Sequence, residues 1–146
     1  MSAQENKATF RRYVEEGWAN GNVVVADEVF ADRYIAHQPD GSEEERTPED
    51  VKQFLRQYRE AFPDLEITIE EQIAEGDKVV TRWASRGTHR GEFRGIAPTG
   101  NEVRLTGIGI FRFSEEGKVV ESWDNFDQLG MLQQLGAVPS QEQSAG

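Results

Sequence analysis

Apolar residues fall into two different rhythms along the chain, one in each half. Phe10, Val14 and Trp18 recur every four positions with Tyr13 and Gly17 beside them, which predicts a helix over residues 4–19 with a single apolar stripe. Asn20-Gly21 ends it, since both residues tolerate the left-handed conformation of a helix stop. A shorter helical segment, Val23 to Ala31, places Val25, Val29 and Phe30 on one side, and the polar run 36–46 (AHQPDGSEEER) reads as a loop. Thr47-Pro48-Glu49-Asp50 then opens a third helix. Thr47 is the N-cap, Pro48 takes the first helical position, and the acids sit near the positive end of the dipole. Val51, Phe54, Leu55, Tyr58 and Phe62 form its buried face, and Pro63-Asp64 closes it.

From residue 65 the period drops to two. Leu65, Ile67 and Ile69 alternate with Glu66, Thr68 and Glu70, the pattern of a strand with one wet face. Glu75-Gly76-Asp77 predicts a hairpin into a second strand, Lys78–Thr88, and a glycine-rich excursion over 89–101 follows. Val103–Ser114 and Lys118–Phe126 are two more strands joined by a tight turn at Glu116-Gly117, and Gln128–Leu135 is a short terminal helix. Gly107 and Gly109, set among Ile and Phe, predict a bulge or sharp bend in their strand. Helices followed by antiparallel strands make an α+β arrangement. The expected organisation is a single domain over 1–146 with a disordered tail at 137–146.

Composition narrows the function. The net charge is −11, from 27 acidic and 16 basic residues, and such a surface repels phosphate backbones and anionic headgroups. Nucleic acid and membrane are therefore not expected partners. Of the basic residues 12 are Arg and 4 are Lys, a balance that suits a high-salt cytoplasm and an ordinary acidic protein alike. The chain has no cysteine, which excludes disulfides, thiolate metal sites and cysteine nucleophiles. No phosphate-binding or dinucleotide fingerprint appears, and two histidines 52 positions apart make no zinc site. No metal, nucleotide or flavin is implied. The N-terminus MSAQENKATFRRY lacks an apolar signal region, so cytoplasmic location is the expectation.

Several stretches resemble one family. Arg82-Trp83, then Gly87-Thr88-His89-Arg90-Gly91-Glu92-Phe93, Gly95 and Pro98-Thr99-Gly100 are similar to a motif series of SnoaL-like polyketide cyclases, also called ester cyclases. So are Gly117 to Trp123, Asp127-Gln128-Leu129-Gly130, Gln134-Leu135-Gly136, and upstream Tyr34 with His37-Gln38-Pro39. The resemblance runs from about Phe10 to Gly136. It implies a nuclear-transport-factor-2-like cone: N-terminal helices packed on a strongly curved antiparallel sheet that encloses a pocket. It also implies a cofactor-independent acid/base enzyme acting on a small apolar carbonyl compound, by aldol cyclisation or a related isomerase or lyase reaction. The fold hosts several chemistries, so a non-catalytic ligand-binding protein is the alternative.

The last strand sends Glu121, Trp123, Asn125 and Asp127 to one face and Val120, Ser122, Asp124 and Phe126 to the other, and alternation does not say which is inner. The resemblance selects the first set, with Asp127 as the proton-transfer group. Asp127 also stands where it would cap the terminal helix. The family's cyclases pair this aspartate with a histidine on the preceding strand, but residues 103–113 contain none, so either His37 takes that part or the reaction is not the aldol closure. Trp123, Asn125, Tyr58 and Tyr34 are expected to bind substrate. Arg82 and Arg86 share a strand face; they either lie inside, paired with Asp127 or Glu121 or holding a substrate anion, or lie outside as solvated charges or a dimer contact. His89 reads as a structural residue of its loop. An apolar outer sheet face would form a homodimer.

Overall fold

Ser2 and Thr47 each start a helix by a reciprocal exchange with an acid three residues on. In the computed structural model, which describes residues 1–137, the Ser2 hydroxyl accepts from the Glu5 N–H while the Glu5 carboxylate accepts from Ser2 N–H. Thr47 and Asp50 repeat the exchange. These boxes satisfy N–H groups that the first turn leaves without partners. The first helix, α1 (Ala3–Arg12), runs on into a π-helical stretch, Tyr13–Ala19, so the segment expected to be helical over 4–19 is helical but wound wider in its second half. The stripe is buried through Phe10, Tyr13, Val14 and Gly17. Gly17 leaves room for close packing: a Cβ there would lie 3.1 Å from Val25 and 3.5 Å from Leu55.

Helix α2 is shorter than expected, Val25–Val29, because the chain straightens at Phe30 into strand β1 (Phe30–His37). The expected polar loop over 36–46 is instead the end of β1, a turn, and strand β2 (Glu43–Arg46). A run of three glutamates conceals a strand from any hydrophobic pattern; at a sheet edge it is a suitable sequence, since charge discourages further pairing. Helix α3 (Pro48–Ala61) follows from its Thr47 cap, with Pro48 in the first turn. Strands β3 (Glu66–Glu75), β4 (Lys78–Thr88), β5 (Glu102–Phe113) and β6 (Val119–Phe126) and helix α4 (Gln128–Gln134) lie close to their expected positions.

The strands form one sheet in the order β2-β1-β6-β5-β4-β3, antiparallel throughout except for the parallel pair β1–β6. The expectation of a strongly curved cone enclosing a pocket is not met: the sheet is open, with β2 and β3 as its edges, and is neither closed nor strongly curved. Helices α1 and α3 cover one face. Phe10, Val29, Leu55, Phe111 and Phe113 belong to one buried cluster between the layers, and Phe62, Phe93, Val103 and Met131 to a second. Gly107 and Gly109 are not at a bulge, for the β4–β5 register runs unbroken through both. Bulges occur instead between Ile69 and Glu71 and between Arg112 and Phe113. The first changes the phase of β3, so that Ile67 and Ile69 pack on the core while Ile73 is turned out. Among the described residues no helix is long and apolar enough to cross a membrane. Of the expected disordered tail, 137–146, all but Ala137 lies outside the described residues.

The cap at Thr47 joins the edge strand to the helix that covers the sheet. Thr47→Ala is expected to lower stability by about 1 kcal/mol, read as a lower denaturation midpoint at unchanged slope.

Candidate functional site

Between the helices and the inner sheet face lies a cavity of about 270 Å3. Its walls follow from alternation. On β4 the inner residues are Thr81, Trp83 and Ser85, on β5 Leu105, Gly109 and Phe111, and on β6 Ser122, Asp124 and Phe126. Helices contribute Phe10, Tyr13, Trp18, Phe54 and Tyr58, and the short edge hairpin contributes Tyr34 and Arg46. The hairpin brings these two together, because Tyr34 and Arg46 are register partners.

Asp124 is the acid on this wall. Its register partner is Gly109, and a Cβ at Gly109 would stand 2.5 Å from the Asp124 carboxylate. The glycine that resembled a bend is therefore a space for that carboxylate. Among the described residues none donates a hydrogen bond to it. Burial pushes its pKa from the ordinary 3.8 up to about 6, against the opposing pull of the Arg46 guanidinium. Desolvation wins over a nearby positive charge. Burial also pushes Tyr34 up to about 12 and raises Tyr13 further, so both phenols keep their protons at neutral pH. Arg46 lies over the Phe54 ring at 4.7 Å, pairs with Glu44 at 3.3 Å, and its buried Nε finds no acceptor among the described residues.

The expected site residues divide between the two sheet faces. Tyr34 and Tyr58 line the cavity. Glu121, Trp123 and Asn125 do not: they occupy the opposite face, so the set selected by the resemblance is the outer one. Asp127 is exposed, past the end of β6, where its carboxylate accepts from Gly130 N–H at 2.9 Å as the cap of α4. His37 also faces outward. It stacks on Trp123, its register partner on β6, with parallel rings 4.7 Å apart, and its Nε2 lies 2.7 Å from Glu121. Glu121 is bound by Arg112 at 2.9 Å, and that bond, with the one to His37, holds its carboxyl below the usual range. His37 and Asp127 are thus brought neither to the cavity nor to one another. Arg82 and Arg86 are half-exposed outer-face residues paired with Glu71 and Glu66. His89 is fully buried and ties its loop together, accepting from Thr99 N–H at its Nδ1 while its backbone bonds Asn101 and Gly100.

Sequence reasoning missed Asp124 and Arg46. Asp124 was visible as a member of the even-numbered set on β6, and Gly109 was the signal that marked its side: a glycine opposite an acid in a strand of large residues. Arg46 carried no signal, since it follows three glutamates on a segment read as loop.

The model of the SnoaL-like polyketide cyclase family matches residues 8–135. None of the curated proteins matches. Similar solved structures include AclR from Streptomyces galilaeus, assigned as a hydroxylase, at 30% identity and a TM-score of 0.82, covering 95% of this chain and 85% of that one. IdmH from Streptomyces antibioticus, assigned as a polyketide cyclase, is 31% identical with a TM-score of 0.72 over 90% of this chain and 98% of its own. TsrD from Streptomyces laurentii is 25% identical with a TM-score of 0.81, over 94% and 99% respectively.

An acid whose pKa is raised by folding is stabilising only while protonated. Below the unfolded value near 3.8 Asp124 is neutral in both states; as pH rises through about 6 the folded state loses that advantage. Relative to wild type, Asp124→Asn is therefore expected to become more stable by about 2 kcal/mol between pH 4 and pH 8, measured by chemical denaturation at both.

Proposed function

We propose that this chain, which belongs to the SnoaL-like polyketide cyclase family and the nuclear-transport-factor-2-like superfamily, is a cofactor-independent acid/base enzyme that uses Asp124 to move a proton α to a carbonyl of a small, mostly apolar compound. One observation carries the reading: a carboxyl group without hydrogen-bond donors among the described residues, turned into an aromatic-walled cavity. Such a group is poised near neutral pH to take a proton from carbon and return it. Ionised Asp124 would accept the α-proton, the C–H electron pair would move toward the carbonyl oxygen to make an enolate, and the acid so formed would return the proton at the same or another carbon. Cyclisation, isomerisation and lyase chemistry share this first step. The Arg46 guanidinium, a cation, and the Tyr34 hydroxyl, a neutral donor, stand on the same lining and would support the enolate oxygen.

The test is hydrogen–deuterium exchange at the α-carbons of 2-tetralone, a two-ring apolar ketone, followed by NMR in D2O. Wild type should accelerate exchange above buffer with a half-maximum near pH 6, where Asp124 ionises. Asp124→Asn should abolish the acceleration, while Asp127→Ala should retain it and lose about 1 kcal/mol of stability as a broken cap. Ketone binding without accelerated exchange would leave a ligand-binding protein instead.

We infer also that the outer sheet face joins two copies of the chain. Ile73, Val80, Ile110 and Trp123 are successive register partners and form one row across four strands. Ile73 and Ile108 are 58% and 49% exposed, which is unusual for large aliphatic side chains clustered on one face. Light scattering should give twice the chain mass, and Ile108→Arg should give the monomer; a monomeric wild type would refute the pairing.

A further inference from the structure

The cavity differs in charge from the protein around it. The whole chain carries −11, yet the charged residues lining the cavity are Arg46, Arg94 and Asp124, two cations against one acid. When Asp124 holds its proton, the lining is positive without opposition. Arg94 stands at the exposed side of the cavity, on the turn Phe93-Arg94-Gly95-Ile96 closed by hydrogen bonds in both directions between Phe93 and Ile96. Its φ is +49°, the one positive value at a non-glycine among the described residues. A left-handed arginine costs energy that asparagine or glycine would avoid, so the turn holds that side chain at the cavity against a local preference. Phe93 is buried and anchors the turn by packing on Tyr58 at 5.0 Å and Phe62 at 5.7 Å. Among the described residues no carboxylate lies within ion-pair distance of Arg94, whose guanidinium rests over the Phe93 ring at 5.0 Å.

The second cation belongs to the same lining. Arg46 lies over Phe54, and Arg94 acts electrostatically on Tyr58. Phe54 and Tyr58 are four residues apart on α3 and share its cavity-facing side. The two guanidinium groups therefore each act on an aromatic residue of the same helix face. A neutral ketone has no use for a second cation. An anion does, since low-dielectric walls focus the field of both charges into the cavity while the acidic exterior repels the same ligand from everywhere else.

We propose that the cavity takes an anionic ligand, a one- or two-ring aromatic compound bearing a carboxylate, whose ring packs among the aromatic side chains and whose carboxylate is received by Arg94 and Arg46. The volume of about 270 Å3, at the small end of ligand sites, sets the ring count. The assignment rests on the cavity being the working site and adds the chemical class of its occupant.

A matched pair of probes, 2-naphthoate and the neutral 2-naphthamide, tests it by isothermal titration at pH 7 in 50 mM and 400 mM NaCl. Wild type should bind 2-naphthoate at least about tenfold more tightly than the amide at low salt, and salt should erode that preference. Arg94→Gln, on an exposed turn, should reduce the preference several-fold with the melting temperature unchanged; Arg94→Lys should recover part of it. Arg46→Gln should do the same, and the double variant should bind both probes alike. Asp124→Asn should keep the preference for the carboxylate, so failure of proton exchange and failure of anion selection are separate results. Equal affinity for the two probes, a preference surviving in the double variant, or no binding of either at millimolar concentration would overturn the proposal.

Discussion

A carboxylate surrounded by apolar groups gives up its hydration, and the protein must supply donors or let the group hold its proton. The inner wall of this sheet does the second. Asp124 faces Gly109 across the β5–β6 ladder, in a space that exists because the glycine has no side chain. Arg46 lowers its pKa and burial raises it, with burial the larger effect. The result is an acid that changes charge close to neutral pH, set among phenols that do not.

The surrounding architecture serves that placement. Strand alternation delivers Ser122, Asp124 and Phe126 inward, and the same alternation commits Glu121, Trp123 and Asn125 to the other side. The outer group has its own polar order, with His37 stacked on Trp123 and bonded to Glu121, which is in turn bonded to Arg112. One sheet thus separates two assemblies of polar residues. The inner one faces a cavity with few internal bonds; the outer one is internally paired.

Much of the fold was legible in the sequence because it rests on period and punctuation. The stripe Phe10, Val14 and Trp18, the box at Thr47 and Asp50, and the alternation from Ile67 onward each reflect a local constraint that a short window contains. Strands β1 and β2 were not legible. Their pairing is made with distant β6 and with each other at a charged edge, and neither contact leaves a hydrophobic signature. Sheet curvature depends on how all the strands assemble, and the expectation taken from the resemblance was wrong for this chain. At the site, Tyr34, taken from the resemblance, and Tyr58, taken from the apolar face of its helix, both lie on the cavity wall. The acid did not: Asp124 and Asp127 lie three positions apart, and which one turns inward is decided by strand phase, with a helix cap claiming the other.

The parallel alignment of β1 with β6 has a further consequence. Phe30 meets Val119 and His37 meets Trp123, so a segment is held in place by one translated much later. A nascent chain leaving the ribosome exposes the first hairpin well before its partner strand exists, and closing so long a loop is a slow step in assembly. Tyr34 and Arg46 ride on that hairpin. The part of the wall that they supply is consequently completed only once β6 has emerged, after the antiparallel meander from β3 to β5 has had time to pair.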